Sequence, residues 1–210
     1  MIRQVVIVVG LWLLSSRPGF AQATIGARGY MTYGITTFAA ADSFEAVSGK
    51  RTRSGWGGGG TVTNVWRDLF VDVALSSRTF EGERVFINSG TTYPLGIPMT
   101  VTLRPLDLAA GWRWRFTRGK VSPYAGGGIS FVSYKETSDF SQTGDDVNEQ
   151  KAGALVVGGV DVAIWKWIYV GGDLRYRAVS GVLGLGGVSE VFGDDQLGGF
   201  AAALRVSVGR

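Results

Sequence analysis

The sequence predicts an all-β chain: an eight-stranded antiparallel up-and-down barrel that crosses a membrane. Three observations carry this reading. Apolar and polar residues alternate with period two over most of the chain, as they do in strands whose two faces meet unlike surroundings. The runs so marked number eight, and their connections alternate between about three or four residues and about 15 to 20, the loop sorting of a barrel that spans a bilayer. Tryptophans and phenylalanines collect in and beside the short connections, where a membrane–water interface would lie.

The first residues read as a secretory signal over 1–23. Arg3 supplies the positive start, and Val5 to Leu14 is an apolar run of about ten, short of the roughly 20 that a spanning helix needs. Ala21 and Ala23 frame an A-x-A cleavage site, which leaves a mature barrel domain of 24–210. The first strand covers Thr24 to Thr36, with Ile25, Ala27, Met31, Tyr33 and Ile35 opposite Arg28, Tyr30, Thr32 and Thr36. A polar loop over 37–54 follows. The second strand is read from Gly57 to Val65, opening on four glycines, and Trp66-Arg67-Asp68 makes a tight turn. The third strand sets Leu69, Val71, Val73 and Leu75 against Phe70, Asp72, Ala74, Ser76 and Arg78.

The loop over 79–99 contains a hairpin extension in which 83–87 and 91–93 flank Asn88-Ser89-Gly90. In the fourth strand Leu106, Leu108, Ala110, Trp112, Trp114 and Phe116 share one face, and Pro105, Asp107, Ala109, Gly111, Arg113 and Arg115 the other. Val101 and Leu103 fall out of phase with Leu106 and Leu108, so a bulge at Arg104-Pro105 is expected, proline being unable to donate to the ladder. The fifth strand runs from Val121 to about Tyr134, with Ser122, Tyr124, Ser130 and Tyr134 inward. After an acidic loop over 135–150, the sixth strand (Lys151 to Ile164) turns Leu155, Val157 and Asp161 inward. Beyond Trp165-Lys166-Trp167, the seventh turns in Tyr169, Asp173, Arg175 and Arg177. A glycine-rich loop over 179–198 leads to the eighth, with Ala201, Ala203, Arg205 and Ser207 inward.

Alternation alone does not say which face is inside. A soluble barrel of lipocalin type would turn the Leu/Val/Trp face inward around an apolar ligand. A membrane barrel turns it to lipid and encloses the charges. Composition favours the membrane: 45% of residues are hydrophobic and 18% charged, against roughly 25% charged in soluble proteins. On that reading Trp66, Trp112, Trp114, Phe116, Trp165 and Trp167 form a girdle at the turn end. Arg28, Asp72, Asp107, Arg113, Arg115, Asp161, Asp173, Arg175, Arg177 and Arg205 form an interior charge network, because buried charges must pair and Arg offers a fork that fits carboxylates.

Several function classes are excluded or weakened. The chain has no histidine and no cysteine, which removes the usual general base, the Ser-His pair and thiolate metal sites. No catalytic residue, metal site or cofactor is expected. The loop acids Asp145, Asp146, Glu149, Asp194 and Asp195 match no EF-hand spacing, and Gly57-Gly58-Gly59-Gly60 lacks the Lys-Ser or Lys-Thr of a phosphate loop. The formal charge of +4, less Arg3 and Arg17, is +2, too small to argue for nucleic acid. Eight strands enclose a bore that side chains fill, so an open porin-type pore is not expected.

The Ala21-Gln22-Ala23 site, the strand opening Pro123-Tyr124-Ala125-Gly126-Gly127-Gly128-Ile129 and the eight alternating strands resemble the small bacterial outer-membrane barrels that include OmpA, OmpX and OmpW. Porin-like members look similar around Asp42-Ser43-Phe44-Glu45-Ala46, Gly82-Glu83-Arg84-Val85-Phe86 and Asp194-Asp195-Gln196-Leu197-Gly198-Gly199. The resemblance implies short periplasmic turns, long extracellular loops and an outer-membrane location. It implies outer-membrane lipid and the barrel-assembly machinery as partners, and a surface ligand at loops 37–54, 79–99, 135–150 and 179–198. Such barrels usually end in an aromatic residue, whereas this chain ends Val208-Gly209-Arg210. The lipid A acyl-modifying members rely on histidine, so their activity does not carry over. The expected role is non-enzymatic, in envelope integrity or surface interaction. A narrow channel lined by Arg28, Asp72, Asp173, Arg175 and Arg205 is the alternative.

Overall fold

The computed structural model describes residues 25–40, 43, 45, 49–88, 91–116, 120–138, 148–180 and 196–210. The signal over 1–23, with Ala21 and Ala23, lies outside the described residues, as do Asp145, Asp146, Asp194 and Asp195. Among the described residues nine strands follow in chain order: β1 (Gly26–Phe38), β2 (Thr52–Thr63), β3 (Leu69–Ser76), β4 (Arg78–Asn88), β5 (Thr91–Arg113), β6 (Val121–Ser138), β7 (Asn148–Ala163), β8 (Ile168–Ala178) and β9 (Gly199–Gly209). They form one antiparallel sheet in the order β3-β2-β1-β9-β8-β7-β6-β5-β4, and a further β3–β5 pairing closes it. Both β3 and β4 pair with β5, from Leu69↔Trp112 to Leu75↔Leu106 and then from Arg78↔Leu103 upward. They are two halves of one stave, interrupted at Ser77. The nine elements therefore make an eight-stave barrel.

Sidedness is that of a membrane barrel. Leu108, Val156, Leu204, Val206 and Val208 are exposed on the outer wall. Asp72, Asp107, Asp161 and Arg205 are each 1% exposed, inside. Up to the Gly57↔Ser76 pair the wall is closed, and its backbone donors and acceptors meet in neighbouring staves, the condition for crossing hydrocarbon without helices. The soluble carrier reading fails on this point.

The structure corrects several expectations. Trp56 and the residues from Thr52 belong to β2, so part of the 37–54 loop is strand and the four glycines lie mid-strand. The hairpin expected within the 79–99 loop is present, with Val85 to Asn88 paired to Pro94 to Thr91, but the pairing runs on down to Arg78↔Leu103, so most of that loop is strand. No bulge occurs at Arg104-Pro105: the β5–β6 register runs unbroken from Met99↔Ser138 to Arg113↔Tyr124. Val101 and Leu103 are buried inside with Pro105 and Asp107, so the apparent phase change marks a change in what the interior contains. The register shift lies higher, between Glu83 and Val85.

Candidate functional site in the barrel lumen

Period-two alternation aims every second side chain of each stave into one narrow bore. Three layers result. At the periplasmic end Arg113 Nη1 donates to Asp161 at 2.5 Å, Arg28 lies 3.7 Å from the same carboxylate, and the Arg28 guanidinium stacks 3.5 Å from the Tyr169 ring. Two cations thus share one anion. Nε of each arginine and Asp161 Oδ1 have no hydrogen-bond partner among the described residues.

Two tyrosines dominate the middle layer. Tyr30 lies across Gly59 on the neighbouring stave, where a Cβ would come within 2.6 Å of its hydroxyl. Tyr124 lies across Gly159 in the same way. Each glycine seats a ring against bare backbone, and each ring then donates its hydroxyl inward, Tyr30 to Asp72 and Tyr124 to Asp173, both at 2.8 Å. Arg205 lies 3.5 Å from the Tyr30 ring and donates to Thr61 at 2.6 Å. It also reaches Asp173 at 3.4 Å and Asp72 at 3.5 Å.

Arg175 is the hub above them. It donates to Asp173 at 2.7 Å, Asp72 at 2.9 Å and Asp107 at 3.1 Å, tying together β8, β3 and β5. Arg177 grips Asp107 with two parallel bonds of 3.0 and 2.7 Å, and Ser130 donates to the same carboxylate at 2.7 Å. Forked guanidinium–carboxylate contacts of this kind are strong and directional.

The upper layer is apolar. Phe38, Phe80, Met99, Val101, Leu103, Val132, Val179 and Leu197 pack together inside, with the two rings 5.1 Å apart edge to face.

Of the ten network residues expected from sequence, nine face the lumen. Arg115 does not: β5 ends at Arg113, and Arg115 is exposed and bonds to Asp68 at the turn. The alternation in the sequence simply continues two residues past the point where the strand ends. Arg78 falls in phase with Asp72 on the inner face, as the alternation places it, but is not among the ten counted in the charge network from sequence; it is buried at the β3–β4 break. Trp66, Trp114, Phe116, Trp165 and Trp167 are exposed at the periplasmic end, and Trp112 is half-buried on the outer face beside them. An upper aromatic band also exists: Tyr33 and Trp56, 4.7 Å apart, and the cross-strand pair Tyr176↔Phe200. Ten residues of chain separate Trp66 from Trp56, about 33 Å along the stave and, at a tilt of about 40°, about 25 Å along the barrel axis, the height of the apolar band of such barrels.

A closed eight-stave wall, greasy outside and charged inside, with aromatic residues toward both ends, defines a small membrane-spanning barrel with the fold of the outer-membrane barrels. No family model matches the chain, and no curated protein matches it. Among solved structures, it is similar to Ail, the attachment invasion locus protein of Yersinia pestis, with a TM-score of 0.50, 14% identity, and 87% of this chain and 98% of that one covered. Neisserial surface protein A is similar at a TM-score of 0.50, 13% identity, and 87% and 96% coverage. A major outer membrane protein from Thermus thermophilus gives 0.51, 11%, and 88% and 99%.

Proposed function

We propose that this chain is a closed, non-enzymatic outer-membrane barrel that works through its extracellular ends. The supporting observation is the filled bore. The hub at Arg175 links three staves across the charged layers, and the apolar layer above caps them. An ion passing this plug would have to break several bonded charge pairs in turn. Purified protein in planar bilayers is expected to give no current at any voltage. Reproducible unitary steps in the unaltered chain would instead establish the narrow channel.

The ends that remain for contact are the rim and the β4–β5 hairpin, which rises above the last β5–β6 pair, Met99↔Ser138. Lys50 and Arg51 are exposed at the β1–β2 rim, with Arg53 beside them half-buried. Ail was crystallised with the heparin analogue sucrose octasulfate, so a sulfated glycan is the first ligand class to test here. Retention on immobilised heparin, reduced in a Lys50→Glu, Arg53→Glu variant, supports rim binding. Equal elution of both chains removes it.

A further inference from the structure

We propose that the barrel holds one small monovalent anion, of chloride size, in a cavity between Arg78 and Arg177. The cavity measures about 30 Å³. Phe38, Leu103 and Val132 wall it on the apolar side, and Thr36, Arg78 and Arg177 on the polar side.

Arg78 is the reason to expect a charge there. It is 8% exposed. It meets no carboxylate among the described residues: Nη1 donates to the carbonyls of Trp56 at 2.8 Å and Ser77 at 2.9 Å, and Nε has no acceptor. Its position follows from the broken stave. Above Gly57↔Ser76 the β2–β3 ladder stops, and at the break the Trp56 carbonyl accepts from Arg78 at 2.8 Å as well as from the Ser77 N–H at 3.4 Å. Gly55 makes room for it, since a Cβ there would lie 2.7 Å from its Cδ and Nη1. The guanidinium is therefore seated by the backbone on both sides.

The charge count points the same way. Below the rim, six described arginines face the bore (Arg28, Arg78, Arg113, Arg175, Arg177 and Arg205) against four aspartates (Asp72, Asp107, Asp161 and Asp173). One surplus cation belongs to the lower layer, where the Arg28 side chain keeps 12% of its surface exposed. The other is Arg78. Water entering the cavity could satisfy Nε but would leave the charge uncompensated. The space holds about two water-sized bodies, room enough for a halide. Arg177, with Nε and Nη2 committed to Asp107, brings a second positive group to the cavity. The hydroxyl of Thr36 is a further donor on its wall.

The test is diffraction from the barrel crystallised with bromide replacing chloride, measured at the bromine edge. An anomalous peak in the cavity, in contact with the Arg78 and Arg177 guanidinium groups, is the expected result. Ordered water without anomalous signal, or an empty cavity, overturns the proposal. A second measurement reads stability. The thermal midpoint of the unaltered barrel should rise when chloride replaces the much bulkier gluconate at equal ionic strength. Arg78→Gln should lose most of that rise, and an equal rise in both chains overturns the site. If Arg78→Gln does not fold, the bromide measurement on the unaltered chain decides alone. Neither readout depends on whether the bore conducts.

Discussion

Arg175 donates five hydrogen bonds, four to carboxylates and one to Tyr30. Replacing it with Met leaves Asp72, Asp107 and Asp173 buried together without their common cation. The expected loss is about 3–5 kcal/mol of folding stability, read from the urea midpoint in lipid vesicles. Arg115→Met, which breaks an exposed pair with Asp68, should cost no more than about 1 kcal/mol. Tyr124→Phe keeps the ring over Gly159 but strips the donor from Asp173, at about 1–3 kcal/mol for the unsatisfied buried group. Gly159→Ala drives the ring off its seat. In a double-mutant cycle the two changes should therefore be strongly non-additive, and simple additivity would mean that the ring and its seat act independently. At this scale the sequence is legible wherever a charge falls in phase within a strand, as at Asp72, Asp173 and Arg205. At Arg78 the inward facing is legible but the role is not, because nothing local shows that the ladder beside it stops.

Among the elements, β5 is the instructive case. Its lower half alternates apolar out and polar in. Its upper half carries Val101 and Leu103 on the same inner face as Asp107. A rule that apolar means lipid-facing turns that run inside out, and a bulge is then needed to rescue the phase. The bore itself changes from charged to apolar at about Pro105, a fact set by Phe38, Phe80 and Val132 on other staves. Likewise Thr52 to Trp56 reads as loop because polar strand above the bilayer and polar loop look alike in composition. The split stave makes its own prediction. In β3 both edges are paired, whereas β4 is paired only to β5. Amides of β4 directed toward β2 should exchange with solvent deuterium much faster than those of β3, as resolved by NMR, and equal protection would mean that the wall is continuous there. On β9, Leu204 is 69% exposed on the outer face. Leu204→Arg should cost about 2–4 kcal/mol in a bilayer by the same urea assay, whereas a soluble barrel would tolerate it.

For the whole molecule, the eight-stave class, the short and long ends and the sidedness are all legible, because they rest on repetition over many strands rather than on any one residue. The upper aromatic pairs are harder to read, since Tyr33 and Trp56, and Tyr176 and Phe200, are far apart in sequence and meet only when the staves are in register. A wall bonded in a ring has no free end from which to unravel. The purified protein should therefore stay folded in cold SDS and migrate faster than after boiling, and a single boiled-type band without heating would contradict closure.

The hub has a consequence for how such a cylinder is completed. Arg175 can meet Asp72 and Asp107 only when β8, β3 and β5 are all aligned. Sliding β8 by one position would point Arg175 at acyl chains and swing Leu174 or Tyr176 among the aspartates. A mis-threaded copy therefore suffers at both surfaces at once, and the same three carboxylates that hold the finished cylinder also proofread its assembly.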